Sequence, residues 1–270
     1  MTPTPPGAGT PGGTMFFVIS DGPVLSAPVV AGSATVSTTA MTTGTHTITA
    51  IYTGNSNFGP SVGTDTHTVN QSPTTTEVTS GPDPSVVGEP VTVTASVAAD
   101  APGAGTPTGT VTFDFGDGSP GATVTLVGGL ATATHAYAAT AGSPYTVTAT
   151  YGGSGDFNAS SGTDTQTVGE ASTTTVVTSG PDPSVVGEPV TVTASVAADA
   201  PGAGTPTGTV TFDFGDGSGT TSATVAGGVA TATHVYTDDA GSPYTITATY
   251  DGDANYTGTT ATDPHEVTAL

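Results

Sequence analysis

Along most of this chain apolar side chains fall on every second position. Val91, Val93, Ala95 and Val97 alternate with Thr and Ser, and Val111, Phe113 and Phe115 alternate with Thr112 and Asp114. Tyr145, Val147, Ala149 and Tyr151 alternate with Thr. A period of two marks a strand with one buried face, and β-branched Thr on the outer face satisfies strand propensity without enlarging the core. Residues 75–79, 123–127, 130–137 and 163–168 supply four further strands of the same kind. No segment carries a sustained helical period. Seven strands in about 95 residues, separated by turn clusters such as Gly81-Pro-Asp-Pro84 and Gly116-Asp-Gly118, predict an all-β, two-sheet sandwich.

The pattern recurs. Thr74–Ser119 and Thr173–Ser218 are identical except that Val176 replaces Glu77, a period of 99 residues. Tyr145, Tyr151, Phe157 and Val168 recur as Tyr244, Tyr250, Tyr256 and Val267, and the same period run backwards lands on His46, Tyr52, Phe58 and Val69. A repeat of this length makes each copy one structural unit. The expected domains are 1–70, 74–169 and 173–268, joined by the short linkers Asn70-Gln-Ser-Pro73 and Gly169-Glu-Ala-Ser172. Gly7-Ala-Gly-Thr10 matches Gly103-Ala-Gly-Thr106, and Phe17 with Asp21-Gly22 matches Phe113 with Asp117-Gly118. On that alignment the first copy lacks its first two strands, so the chain reads as a cut from a longer array, and Met1 need not be a true start. Missing strands leave sheet edges open, and residues 1–70 are expected to be the least stable part. Short linkers suggest end-to-end stacking into a semi-rigid rod on the order of 100 Å long.

The run Gly109-Thr-Val-Thr-Phe113, then Tyr145-Thr-Val-Thr-Ala-Thr-Tyr151, then Tyr250-Asp-Gly-Asp-Ala-Asn-Tyr256 resembles the bacterial Ig-like repeats of large surface and secreted proteins. Thr45–Phe58 is the first copy's version. The resemblance implies tandem immunoglobulin-like β-sandwich domains serving as spacers, adhesion units or accessory modules. It also implies an extracellular or cell-surface location, with signal and anchor outside this segment and neighbouring repeats in a longer chain. Phe113-Asp-Phe-Gly-Asp-Gly-Ser119 with His135-Ala-Tyr137 is similar to the PKD domain, a related sandwich, although Phe113 and Phe212 stand where that pattern usually has Trp. The disulfide and core Trp of antibody-type domains are missing, so Phe113, Phe115 and the paired tyrosines are expected to fill their volume.

Composition narrows the function classes. There are 22 Asp and Glu but no Lys or Arg, a formal charge of −22. Phosphate recognition depends on basic side chains, so nucleic acid is excluded as a partner. Cys is absent, which removes disulfides and thiol chemistry, and no apolar run approaches the length of a membrane span. No Gly-x-Ser-x-Gly elbow is present, and the Gly-rich stretches lack the Lys of a phosphate loop. The reading is therefore non-enzymatic, with no catalytic, cofactor-binding or metal-ligating residue assigned and no cofactor required.

Several residues still carry candidate chemistry. Asp114, Asp117, Asp213 and Asp216 flank tight Gly turns, and Asp238, Asp239, Asp251 and Asp253 cluster in the last copy. Oxygen-rich loops with Gly can hold Ca²⁺, but Asp in such loops more commonly bonds its own backbone. His135 and His234 are expected to be hydrogen-bonded structural residues, His46 to pack at a sheet end, and His67 and His265 to be exposed. Asn70, Asn158 and Asn255 head N-linked acceptor triplets. The second function class is a carbohydrate- or protein-binding accessory module of a secreted enzyme, stabilised by calcium. A carbohydrate face would want exposed aromatics in a row, and the tyrosines fall mostly on the buried alternation.

Overall fold

A computed structural model of the chain describes residue 2 and residues 8–269. Met1, and Gly7 of the Gly7–Thr10 motif, lie outside that range. No helix occurs among the described residues. Contacts divide the chain into two compact units, one of residues 1–75, 98–109 and 152–160, the other of residues 76–97, 110–151 and 161–270.

In the first unit β1 (Gly13–Ile19), β2 (Val24–Val29), β3 (Gly44–Tyr52) and β4 (Ser61–Val69) form one antiparallel sheet, in the order β2-β1-β3-β4. Phe17 pairs with Leu25 across β1 and β2, and Ile19 with Ile48 across β1 and β3. Ile19 and Tyr52 are buried, and the Tyr52 hydroxyl donates to the Gly12 carbonyl at 2.7 Å. Ala34–Thr38 alternates like a strand yet pairs with nothing regular. The linker is not slack: Ser72 N–H donates to Asp156 O at 2.8 Å, and Asn158 N–H donates to Ser72 O at 2.9 Å.

The next repeat contributes β5 (Thr74–Gly81), β6 (Ser85–Val86), β7 (Pro90–Ala99), β8 (Thr110–Asp114) and β9 (Ala122–Thr125). It continues with β10 (Leu130–Ala136), β11 (Tyr145–Tyr151), β12 (Ser160–Gln166) and β13 (Val168–Gly169). The last repeat runs β14 (Thr173–Gly180), β15 (Ser184–Val185), β16 (Pro189–Ala198), β17 (Thr209–Asp213) and β18 (Thr220–Thr224). It ends with β19 (Val229–Val235), β20 (Tyr244–Tyr250), β21 (Thr259–His265) and β22 (Val267–Thr268). Each of these repeats has a three-stranded sheet (β10-β7-β5; β14-β16-β19) and a four-stranded one (β12-β11-β8-β9; β18-β17-β20-β21). A short parallel pair, β13-β6 or β15-β22, adds to each.

The predicted alternation holds in the packing. Val91, Val93 and Ala95 from one sheet and Val111, Phe113, Val147 and Ala149 from the other are all fully buried, as are their counterparts 99 residues on. Each such Val or Phe is worth about 1.5–3 kcal/mol of transfer free energy. Phe113, Phe115, Tyr137, Tyr145 and Tyr151 are all buried in this core, with Tyr145 and Tyr151 at opposite ends of β11. All eight tyrosines of the chain are buried. At the turn after β8, Gly116 has φ 79°, and a Cβ there would run into the Thr146 carbonyl. Gly215 repeats the arrangement at Thr245.

Candidate functional site

The densest constellation of titratable and aromatic groups lies at one end of each full repeat. The turn after β8 swings Asp117 back toward β10. There His135 Nε2 bonds its Oδ2 at 2.7 Å, while Phe115 stacks on the imidazole with ring centres 4.2 Å apart. Tyr137, just past the end of β10, meets the imidazole edge-on and stacks on Tyr145 at 4.6 Å. Its hydroxyl donates to the Phe115 carbonyl at 3.1 Å. The last repeat reproduces every contact with Asp216, His234, Phe214, Tyr236 and Tyr244.

Burial opposes ionisation of Asp117, but the interactions with Ser119, whose N–H donates to the carboxylate at 3.0 Å, together with the His135 ring outweigh it and hold the carboxyl below its ordinary value. Asp216 is held down in the same way by Ser218 and His234. Burial, then the nearby Asp117 charge, pushes the Tyr137 phenol up to about 12. The order of the bonds decides the chemistry. Ser218 Oγ donates to one oxygen of Asp216 at 2.6 Å, and His234 bonds the other at 2.7 Å. The carboxylate therefore stands between hydroxyl and imidazole. In a nucleophilic triad the imidazole must sit in the middle to take the hydroxyl proton. This constellation fastens a turn to a strand and does not activate a nucleophile.

The remaining acidic candidates make turns. Asp114 and Asp213 accept from the Gly116 and Gly215 N–H groups at 3.0 and 2.9 Å. Asp253 accepts from the N–H groups of Thr207, Asn255 and Tyr256. Asp238 accepts from Ala240 N–H at 3.0 Å and from the Tyr244 hydroxyl at 2.9 Å. Asp251 gives its N–H to Thr209 O, and the Asp239 carbonyl accepts from Ser242 N–H. Among the described residues no three His, Asp or Glu side chains converge in a way that could hold a metal ion.

The histidines divide. His46 is buried, with its ring nitrogens against the Ser20 and Thr42 carbonyls at 3.1 and 2.7 Å, and those two bonds raise its pKa. His67 is exposed. His265, expected to be exposed, is fully buried, because the Ser179 and Ser184 hydroxyls bond its two nitrogens at 3.0 and 2.9 Å. Gln166 takes its place in the preceding repeat, donating to Pro82 O at 2.8 Å. Sequence reasoning passed over these partners because they lie more than 80 positions away. The one available signal was the recurrence of a bond-forming side chain at His67, Gln166 and His265.

It also passed over the junction between the two full repeats. Ala171, in the linker, is fully buried and pairs in parallel with Tyr256. Ala203 N–H donates to Val87 O at 3.1 Å, and Thr140 N–H donates to the Asn255 side chain at 3.0 Å. Asn255, a candidate sugar acceptor, is thus engaged by the neighbouring repeat. Asn158 gives its backbone N–H to Ser72 O, and Asn70 borders a cavity beside Ser72.

The sequence profile of the bacterial Ig-like domain (group 3) matches residues 1–70, 78–169 and 177–269, nearly the whole chain. The chain belongs to this bacterial Ig-like family. No curated protein matches it in sequence. Solved structures similar to this family member include immunoglobulin domains 1–5 of Sidekick-1, at 14% identity and TM-score 0.32, covering 92% of this chain and 48% of that one. The FdeC adhesin of Escherichia coli is similar at 12% identity and TM-score 0.27, covering 99% of this chain and 88% of that one. The ICAM-5 D1–D4 fragment is similar at 18% identity and TM-score 0.33, covering 84% and 62%. The chain spans about half the length of the Sidekick-1 fragment.

Proposed function

We propose that this chain is a non-enzymatic spacer or adhesion-stalk segment of a bacterial cell-surface or secreted protein, built of modules 1–70, 74–169 and 173–268. The observation that carries the reading is the hydrogen-bonded junction of the two full repeats. The N–H and C=O of linker residue Ala171 are both bonded to the last repeat, at Asn255 O and Thr257 N–H, and Val87 O and the Thr140 loop are bonded by that repeat as well. A binding tip needs mobile, chemically distinctive loops. A spacer needs joints that hold, and these loops are spent on joints and turns. Membership of the bacterial Ig-like family supports an extracellular setting. The absence of any exposed tyrosine speaks against a carbohydrate face.

The test is replacement. The chain is displayed between a cell anchor and a short epitope, and antibody access to the epitope is measured as repeats are deleted or exchanged for unrelated sandwich domains of equal length. A spacer loses access when shortened and keeps it when exchanged. Saturable binding of a glycan or host protein by the purified chain, abolished by a point substitution, would overthrow the assignment.

A further inference from the structure

The two full repeats agree over Thr74–Ser119 and Thr173–Ser218 but diverge where they join. One period on, Ala139 and Thr140 become Asp238 and Asp239, and Asp156 becomes Asn255. The last repeat holds three separate segments of the preceding chain. It bonds both backbone groups of Ala171, through Asn255 O at 2.9 Å and Thr257 N–H at 3.0 Å, and Ala203 N–H donates to Val87 O at 3.1 Å. At the third segment Thr140 N–H donates to Asn255 Oδ1 at 3.0 Å, and the Thr140 hydroxyl donates to Ala254 O at 2.7 Å. The approach is close: a Cβ on Gly88 would run into the Ala203 backbone, and one on Gly202 into the Ala171 methyl.

The first two contacts use backbone groups alone, so they carry little choice of partner. Ser72, the counterpart of Ala171, makes the first of them in the same way, to Asp156 O and Asn158 N–H. The third contact depends on side chains and can discriminate. Thr140 brings two donors to it, and the last repeat offers two acceptor oxygens, Asn255 Oδ1 and Ala254 O. At the position of Asn255, Asp156 accepts the Thr43 hydroxyl at 2.8 Å. The acceptor thus varies between carboxamide and carboxylate, while the donor stays a threonine hydroxyl. A carboxylate in place of Thr140, such as Asp239 carries, has no proton to give. It would leave Ala254 O without its donor and set a negative charge against the Asn255 oxygen, close to Asp253, which accepts from Asn255 N–H at 2.8 Å.

We propose that the end of the last repeat formed by Ala203 and Asp253–Thr257 is a selective docking surface for a neighbouring Ig-like module. It fits a module that presents a neutral hydroxyl donor in the loop before its β11-type strand, as Thr140 does. It refuses one that presents a carboxylate there, as Asp239 does. With the donor in place, bonds to three segments fix the angle of the joint; without it, the two repeats swing about Ala171. Module order is thereby written in the few joint residues at which near-identical repeats differ. The inference deepens the spacer reading and rests on it for its purpose, yet the two fail separately. A freely swinging joint would overturn the docking surface and leave a spacer that still holds its epitope out.

The test uses the full chain, which has no Cys, labelled with nitroxides at Thr132→Cys and Thr231→Cys, equivalent exposed positions on β10 and β19. Double electron–electron resonance should give one narrow distance distribution in this parent and the same in Thr140→Ser. Thr140→Asp should widen it by at least about twofold, since domains without a firm interface move against each other by default. Asn255→Ala removes the acceptor instead of the donor and should widen it as well. Hydrogen exchange in Val91–Val97 and Val190–Val196 should be unchanged in every variant, so that widening reports the joint and not unfolding. A broad distribution in the parent, or one in Thr140→Asp or Asn255→Ala as narrow as the parent's, would overturn the proposal.

Discussion

Replacing Tyr137 and Tyr236 together by Phe isolates one hydroxyl in each full repeat. Each ring is about 1% exposed and stacks on its neighbour, Tyr145 or Tyr244, at 4.6 or 4.7 Å. Phenylalanine keeps the volume and the stack. What is lost is the O–H donated to the Phe115 or Phe214 carbonyl at 3.1 Å. A buried neutral bond contributes about 1 kcal/mol net, and leaving a buried carbonyl unpaired costs about 1–3 kcal/mol. The expected loss is therefore about 1–3 kcal/mol per repeat. For a domain of this size each kcal/mol lowers Tm by about 4–8 °C. Differential scanning calorimetry at neutral pH should show this shift in the transition of the full repeats.

The same substitution has an alkaline signature. Burial, followed by the Asp117 charge, raises the folded-state pKa of Tyr137 to about 12, against about 10 for an unfolded tyrosine. Above pH 10 the unfolded chain has lost a proton that the folded chain keeps. Stability from this group is thus complete below pH 10 and falls as the pH rises toward 12. Tyr236 is raised for the same reasons and adds to the slope. The double variant should show a shallower stability loss between pH 10 and 12 than the parent. An unchanged Tm at neutral pH together with an unchanged alkaline slope would refute the argument that these hydroxyls bind the β8 turn to β10.

Phe113→Ala empties the centre of one sandwich and should lower its stability by about 3–5 kcal/mol, read as a calorimetric transition separating from that of the last repeat. Asp117 and Asp216 have depressed folded pKa values, so their contribution is present above about pH 4 and is lost as pH falls through the folded value; D117N/D216N should flatten the acid limb of a pH–Tm curve. Gly88→Ala and Gly187→Ala both place a side chain at positive φ, but only the former drives a Cβ into the Ala203 backbone. Exchange protection of Ala203 should therefore fall only in Gly88→Ala. Raising NaCl from about 10 to 500 mM should raise Tm, the reverse of what a salt-bridged protein shows.

The period of two was enough to find the strands because inward Val and outward Thr leave no competing reading. Tyr145–Tyr151 begins and ends where the alternation does. Strand ends that depend on partners were less legible. Residues 123–127 read as one strand, yet β9 ends at Thr125, where Leu126 enters the core and Val127 pairs locally with Leu130. Residues 163–168 read as one strand but divide into β12 and β13. Ala34–Thr38 has the alternation of a strand and no partner to make it one. His265 was misjudged for the same reason: its parity matches inward-facing Ala261, but only the fold brings Ser179 and Ser184 to its two nitrogens. Local pattern reports which face a residue occupies, whereas long-range bonds decide whether a polar residue can stay there.

The same distinction explains how a chain without a single Lys or Arg closes its acidic loops. Asp100 and Asp199 each take a threonine hydroxyl, from Thr75 at 2.8 Å and from Thr174 at 2.7 Å. Asp83 and Asp182 accept from the N–H groups of Thr167 and Glu266, both at 2.8 Å. Asp164 holds Ser80 by two bonds. These neutral donors satisfy the carboxylate oxygens and fix turns to strands, but they cancel no charge. A chain built this way obtains geometry from its carboxylates and keeps their mutual repulsion, which lies along the surface where salt can screen it. Its cohesion has to come from the interdigitated Val, Phe and Tyr layers. That division of labour also accounts for the near-identity of the two full repeats being tolerable: like-charged copies resist pairing side by side, and the bonds that join them are reserved for the linker, the Val87 carbonyl and the Thr140 loop.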